Sequence, residues 1–411
     1  MTSPLTLTAA RQLVLAEVQP EQRREFVGLA EAHGRHLASA VHAEHCWPST
    51  DRSAMDGFAL RAERGLLAGA TLPVVGESLA GKPFDAPLPA GAAIRIMTGA
   101  VVPDGADAVV PVERTSGFTG STVTVHDAVQ AGANVRRRAS ELAAGAMVLP
   151  GGRRVRAAEI GVLAVLGHHR VAVVRRPRVA ILATGDEVVP VEAVPAPHQV
   201  RESNSWALAA QVEECGASAV RLGVVADERA ALQQALVRGL HEADVLLTIG
   251  GISKGTHDLV HGVLADLGVV ERFHGLDLKP GKPTFFGVRP GGEPRLVFGL
   301  PGNPASTFTV FDLLVRPALQ RLLGEAVPNW SATAPAAGAA WQRNARLQAV
   351  PARLAPGPDG RLEAQLVAPS PSGDPFGLAA GDVYVLVPGK AEPSAGTVVP
   401  LVGRSSGVQL P

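Results

Sequence analysis

"RPRVAILATGDEVV", residues 176–189, decides the fold. Val179 to Ala183 form an apolar run that stops abruptly at Thr184-Gly185-Asp186-Glu187. A short buried run with a polar end reads as a strand of a covered sheet. The residues that follow keep one rhythm. "ESNSWALAAQVEECG" (202–216) predicts a helix with Ser203 or Asn204 as its cap, and "ASAVRLGVVAD" (217–227) a second strand. "ERAALQQALVRGLHEA" (228–243) is a second helix, "DVLLTIGG" (244–251) a third strand and "HDLVHGVLADLG" (257–268) a third helix. "KPTFFGV" (282–288) and "PRLVFGLPG" (294–302) add strands, and "ASTFTVFDLLVRPALQRLLG" (305–324) closes with a helix. Strands alternating with helices at this spacing predict a doubly wound, mostly parallel α/β domain over 176–326.

Outward from this domain the texture changes. Residues 1–45 predict helices, with "AARQLVLAEV" and "EFVGLAEAHGRHLA" as two amphipathic runs and Thr8 as a candidate cap. Residues 46–145 carry many Gly and Pro between short apolar runs, which predicts a small β module. "GAMVLPGGRRVRAAEIGVLAVLG" (145–167) supplies a hairpin-like turn and a further helix, so 146–175 is grouped with 1–45 as an elongated helical segment. After "AVPNWSATAPAAGAA" (326–340), read as a linker, the remainder of 327–411 predicts a small C-terminal β-barrel.

At 411 residues the length fits roughly two to four domains. Lys+Arg and Asp+Glu both total 38, so no global field points to nucleic acid or an anionic membrane, and any anion site must be local. Only Cys46 and Cys215 are present, which opposes a disulfide framework and fits a reducing cytosol. The start lacks a secretory pattern, and no apolar run approaches the roughly 18–20 residues of a membrane span. A cytoplasmic protein is expected.

Ligands of an open parallel sheet bind beyond the carboxyl ends of its strands. Four such ends are polar here: Thr184 to Glu187, Ala226-Asp227-Glu228, Gly250 to Asp258, and Gly299 to Pro304. Adjacent glycines at 250 and 251 let backbone approach a ligand, and a helix start beyond them presents N–H groups to an anion. Glu187, Asp227 and Asp258 would project from one edge, where carboxylates hold Mg²⁺. "LKPGKPTFFG" (278–287) adds Lys279 and Lys282 around one tight turn, in a chain with five lysines and 33 arginines. An ammonium is a compact point charge suited to a small oxyanion or phosphate, whereas arginine presents a planar fork.

Two lookalikes compete. "GGISKGT" has Gly and Lys in the reverse order of a phosphate-binding P-loop. Gly251-Ile252-Ser253-Lys254-Gly255 does match a nucleophile elbow, so a serine hydrolase built on Ser253 is an alternative. That reading leaves the lysine turn and the carboxylates unexplained. His257 and His261 stand four apart without the Glu of a zinc-protease helix, and read as exposed polar-face residues.

Six stretches in order, "TDRSAMDGFAL", "RIMTGAVVPDGADAVVPVE", "TGDE", "GGISKGTHD", "KPGKP" and "GLPGNPAS", resemble the molybdopterin molybdenumtransferases, the bacterial molybdenum insertases related to the E domain of gephyrin. The resemblance runs from about residue 7 to 403. It implies an enzyme that takes adenylylated molybdopterin and molybdate and, with Mg²⁺, inserts molybdenum and releases AMP. It implies catalytic roles for Asp56, Thr98, Glu187, Asp227, Asp258, Lys279 and Lys282, with Glu187, Asp227 and Asp258 as metal residues. Arg136, Gly250, Gly251, Ser253, Pro283, Pro301, Asn303, Pro304 and Ser372 would bind the pterin, its phosphates or molybdate. The family dimer implies a homodimer whose β module, with Asp56 and Thr98, serves the partner's cleft. Molybdopterin adenylyltransferase and molybdoenzyme-maturation proteins are the further partners it implies.

This chain departs from the family pattern at several places. Relatives commonly read "DNSAMDGYA", where it has Arg52 and Phe58. After the arginine run they tend to have Gly-Glu-Asp, against Ala139-Ser140-Glu141. Pro351 stands where an arginine is expected, with Arg353 nearby. A non-catalytic molybdopterin carrier or scaffold of the same fold is the second alternative.

Overall fold

The computed structural model describes residues 4–62, 65–252, 259–327, 330, 332–337, 344–367, 373–390 and 397–404. The chain forms two compact units: residues 1–39, 151–160 and 169–411 make the first, residues 40–150 and 161–168 the second.

A six-stranded sheet organises the first unit. Its strands, numbered within this sheet, are β1 (Arg178–Thr184), β2 (Ser218–Val225), β3 (Val245–Ile249), β4 (Val270–His274), β5 (Phe285–Arg289) and β6 (Arg295–Leu300). They lie in the order β2-β1-β3-β6-β5-β4. The first four in that order are mutually parallel, and β5 and β4 complete the edge antiparallel. Helix α1 (Asn204–Glu214) joins β1 to β2, α2 (Arg229–Glu242) joins β2 to β3, and α3 (Leu259–Asp266) follows β3. Alternate sheet residues feed two cores, as the pleat requires. Val179, Ile181, Leu247 and Phe298 pack on one face with Leu208 of α1 and Leu313. Ala180, Leu182 and Leu246 face the other way, against Leu232 of α2 and Val260 and Leu264 of α3. This is the doubly wound layer expected from the alternation.

The C-terminal strands Thr333–Ala337, Leu347–Pro356, Leu362–Leu366, Val383–Val387 and Val398–Gly403 close on themselves. Closure removes every free edge among them. The stretch expected as a linker therefore contains a barrel strand: Thr333 pairs with Pro400 and Ala336 with Ala364. Its small side chains gave no alternating apolar signal. Pro351 sits within the barrel opposite Tyr384.

The N-terminal expectation also changes. Helix Leu7–Glu17 is capped by Thr6, whose hydroxyl accepts from the Ala9 N–H at 3.3 Å, while Thr8 lies inside the first turn. "EFVG" is strand instead of helix: Arg24–Gly28 pairs antiparallel with Arg170–Val174, and only Leu29–Ala32 is helical. Phe and Val favour the pleated surface once a partner strand is present. At α1 neither Ser203 nor Asn204 caps by its side chain; Glu202 accepts from both the Ser205 N–H and its hydroxyl, each at 2.6 Å.

An ion-pair network ties this unit's N-terminal segment to its sheet. Arg175 donates to Glu21 and Asp244, each at 2.7 Å, and Arg23 donates to Glu21 at 2.9 Å and to Asp244 at 3.0 Å. Burial pushes the Glu21 carboxyl up, but hydrogen bonds from Arg23 and Arg175 outweigh it and bring it down to about 2. A depressed carboxyl stabilises the fold above its unfolded value and loses that contribution as the pH falls through the folded one. On the order of 2 kcal/mol is expected to disappear between about pH 4.5 and pH 2. Acid titration of the urea midpoint should therefore fall more steeply for wild type than for Glu21→Gln. Identical slopes would remove Glu21 from the account.

The second unit holds a five-stranded sheet of Ala108–Pro111, Gly57–Leu60, Ala93–Ile96, Thr71–Ser78 and Thr122–Thr124, in that spatial order. Gly57 is required there, since a Cβ would sit 1.9 Å from the Val110 carbonyl oxygen. Phe58 is 1% exposed and its ring lies 5.4 Å from Phe118, so the missing hydroxyl leaves a purely apolar contact. Ala139 has φ +61°, a conformation that glycine adopts freely and alanine does not. Left-handed backbone costs an L-residue about 1–2 kcal/mol, against a smaller loss of chain entropy for glycine. Ala139→Gly is expected to stabilise this unit by about 1 kcal/mol, read as a raised urea midpoint; a lowered midpoint would contradict it.

Candidate functional site

β1 feeds a helix toward β2, whereas the chain leaving β3 goes toward the opposite edge of the sheet. The crevice of such a sheet opens where neighbouring strands diverge in this way. Three carboxyl ends meet it. At the end of β1, Thr184 donates its hydroxyl to Asp227, which follows β2. The Asp227 N–H in turn donates to Asp186 at 3.3 Å. Gly185, at φ +139°, carries the Glu187 carboxylate against its own backbone: a Cβ there would meet Glu187 Oε2 at 2.7 Å. Asp227 and Glu187 are thus both held at this edge, with Asp186 as a residue the sequence reading had not singled out.

β3 ends in Gly250 and Gly251, at φ +83° and +62°. Neither has room for a side chain. A Cβ on Gly250 would meet the Thr184 carbonyl at 2.8 Å, and one on Gly251 would meet Val260 at 2.5 Å. The Gly250 N–H donates to the Leu300 carbonyl at 3.1 Å, joining this turn to the end of β6. The stiff turn Pro301 to Pro304 begins there. Asn204 donates its side-chain amide to the Gly302 carbonyl at 2.7 Å, so α1 braces the turn. Asn303 is the cap residue of the helix starting at Pro304. A cavity of about 210 Å³ opens beside it, lined by Asn204, Gln211, Pro304, Phe308, Pro375 and Arg404 among others. Arg404 is 6% exposed and lies over the Phe308 ring at 4.8 Å.

The lysine turn belongs to the same edge. β5 runs antiparallel to β6, with Phe285 opposite Gly299, so the residues before Phe285 stand at the carboxyl end of β6. Leu278–Lys279 is a short strand that the sequence did not suggest; it pairs in parallel with Leu347 and Gln348 of the barrel. Arg346 reinforces it by donating to the Leu278 carbonyl at 2.9 Å. Thr284 is buried and donates its hydroxyl to the Gly281 carbonyl at 2.7 Å. Gly281, at φ +120°, has Val310 where a Cβ would go. Lys279 is half-buried, Lys282 exposed and Pro283 intermediate.

In the second unit, Asp56 and Thr98 meet. Both the N–H and the hydroxyl of Thr98 donate to Asp56 Oδ1, each at 2.7 Å. Those two bonds hold the Asp56 carboxyl below its ordinary range. Arg52 donates to the Gly99 carbonyl at 2.8 Å and fixes the same turn. Arg136 pairs with Arg52 across a short ladder and donates to Glu141 at 3.0 Å. Ser253, Asp258 and Ser372 lie outside the described residues, as do Lys254 and His257.

The acidic edge offers oxygen ligands only, the set that suits Mg²⁺ and not a thiolate- or imidazole-bound metal. Among the described residues, its carboxylates do not gather as three atoms within 4.8 Å. Mg²⁺ is commonly held by one or two carboxylates plus substrate phosphates and water, so Glu187 and Asp227 fit a site that substrate completes. Among the described residues no helix is long and apolar enough to cross a membrane.

Comparison with known proteins bears on this arrangement. Residues 5–167 match the family described as "MoeA N-terminal region (domain I and II)", and residues 180–321 that described as "Probable molybdopterin binding domain". A molybdopterin molybdenumtransferase of a Nostoc species is 37% identical over 315 residues, 76% of this chain and 72% of the relative. One from Haemophilus influenzae is 35% identical over 321 residues, 78% of each chain. The crystal structure of a molybdopterin biosynthesis MoeA protein from Pyrococcus horikoshii OT3 superposes with a TM-score of 0.81 at 26% identity, covering 97% of this chain and 99% of that one.

Proposed function

The chain belongs to the molybdopterin molybdenumtransferases, a family of transferases, and on that premise we propose that it inserts molybdenum from molybdate into adenylylated molybdopterin with release of AMP. The observation that carries this reading is one sheet edge bearing two opposite chemistries. Acidic residues and a glycine turn stand at the ends of β1, β2 and β3, and an ammonium-bearing turn stands at the end of β6.

Lys279 and Lys282 hold the molybdate dianion and offset charge on its oxygens as the dithiolene sulfurs displace them. Two of those oxygens leave as water, taking up the two thiol protons and two from solvent. A water molecule attacks the adenylyl phosphorus, so that the P–O–P bond breaks, AMP departs and the pterin keeps its terminal phosphate. Pro283 stiffens the oxyanion turn, and Ser372 is the hydroxyl that the family pattern assigns to molybdate. Gly250 and Gly251 let the pterin phosphates approach the main chain closely, and Ser253 is the hydroxyl that the family pattern assigns to them. Pro301, Asn303 and Pro304 form a rigid wall of the pterin cleft. Glu187 and Asp227, with Asp258 as the third carboxylate of the family pattern, would hold Mg²⁺, which would neutralise charge on the adenylyl phosphate. Asp56, Thr98 and Arg136 act from a second copy of the chain, in a homodimer that shares each site.

The test is single-turnover AMP release from adenylylated molybdopterin, with and without molybdate and Mg²⁺. Release that needs both ions is the expected result. Tight pterin binding without ion-dependent release would replace this reading by a carrier or scaffold. Ester cleavage lost in Ser253→Ala would replace it by a hydrolase.

A further inference from the structure

Three side chains outside the site described above come together at the end of β4. His261 of α3, Glu271 and His274 each bring one potential ligand atom to within 4.8 Å of the others. His261 Nε2 lies 2.8 Å from Glu271 Oε2. The two imidazole rings are 5.2 Å apart. Phe285 stands edge-on to both, at 5.6 Å from His261 and 5.9 Å from His274, and forms an apolar wall.

Ordinary pleating would send Glu271 and His274 to opposite faces of a strand. Here the register of β4 against β5 shifts between Glu271 and Phe273. Such an irregularity re-aims side chains, and in this case it brings residues three apart onto one helix residue. His274 is oriented further: its Nε2 lies 2.7 Å from the Ile252 carbonyl. A carbonyl only accepts, so Nε2 carries the proton and Nδ1 presents its lone pair. An imidazole fixed by a backbone carbonyl in this way is the usual support of a metal-bound histidine.

We infer that His261, Glu271 and His274 form a binding site for a divalent transition-metal ion of the Zn²⁺ class, separate from the all-oxygen edge. Two imidazoles and one carboxylate match the ligand types of zinc, cobalt and nickel and discriminate against Mg²⁺. Three protein ligands leave a position open for water. Tetrahedral bonds of about 2.1 Å separate ligand atoms by roughly 3.4 Å, so the site forms by small side-chain rotations. On binding, the His261–Glu271 hydrogen bond gives way to two metal bonds, and His261 Nε2 gives up its proton, by shift to Nδ1 or by loss to solvent. Because His274 holds Ile252, occupancy also fastens the chain just beyond Gly250 and Gly251 to the sheet edge.

The test uses the full chain, stripped with chelator and titrated with Co²⁺ in excess Mg²⁺, which occupies any oxygen-only site. About one equivalent of Co²⁺ should bind with the intense visible bands of a four- or five-coordinate ion, and Zn²⁺ should displace it. Glu271→Gln, at an exposed strand position, and His274→Ala should each weaken binding at least about 10-fold. Zn²⁺ should raise the melting temperature of wild type and not of the variants. Affinity should fall on acidification, because the imidazole and carboxylate ligands bind metal only when deprotonated. Variants that bind Co²⁺ like wild type, or a wild type with no bands at millimolar Co²⁺, would overturn the assignment.

Discussion

Lys279→Ala is expected to slow molybdate-dependent AMP release by about 10²–10³-fold, the usual effect of removing one preorganised charge stabiliser. The protein should remain folded, because what fastens residue 279 is backbone. Lys279 pairs through its main chain with Gln348, and the neighbouring Leu278 carbonyl accepts from Arg346. Truncation therefore removes an ammonium without loosening the turn. Lys279→Arg should not restore the rate, since a planar fork cannot take the position of a compact charge. Lys282 is exposed, so its charge is screened more strongly and Lys282→Ala should cost less, about 10-fold. Raising molybdate should rescue Lys282→Ala further than Lys279→Ala if the half-buried lysine acts on bound oxyanion. A Lys279→Ala rate within threefold of wild type would remove this turn from the mechanism.

The second large effect concerns which copy of the chain supplies Asp56. Asp56→Asn keeps an oxygen to accept from the Thr98 N–H and hydroxyl, so the turn survives while the charge is lost. Asp56→Asn and Lys279→Ala should each be nearly inactive alone. In a homodimer whose sites are shared between copies, mixed dimers of the two variants contain one site with both groups intact. Statistical mixing then returns about one quarter of wild-type activity, whereas sites built within one chain return none. Full activity in Asp56→Asn alone would instead deny this aspartate a part in the reaction. These three outcomes are separate, and the same AMP assay reads them all.

The central layer was legible because its period was unambiguous. Apolar runs ending in polar residues, spaced by amphipathic helices, allow few other folds, and the carboxyl ends follow from the topology. Gly250 and Gly251 were readable for a related reason, since paired glycines at a strand end mark backbone where a side chain has no room. Other features had no local signal. "EFVG" carries residues at home in helix or strand, and its partner at 170–174 decides the matter from far along the chain. "TAPAA" became a strand only because the barrel needed a fifth member. His261 invited comparison with His257, four residues before it in sequence, yet its neighbours are Glu271 and His274, brought there by a register shift that no spacing rule anticipates. The Thr184–Asp227 bond likewise joins residues that only sheet order makes adjacent.

The pairing of Leu278–Lys279 with the barrel also sets an order of assembly. Domains generally fold as units while the chain is being made, N-terminal parts first. The α/β layer is complete in sequence by residue 324, but the strand that receives Lys279 begins at Leu347. A nascent chain can therefore close its sheet and form the glycine turn while the lysine turn still lacks its partner. The lysine turn is thus the last part of this sheet edge to gain its partner, and a chain truncated before the barrel would keep the glycine turn and leave Leu278–Lys279 unpaired.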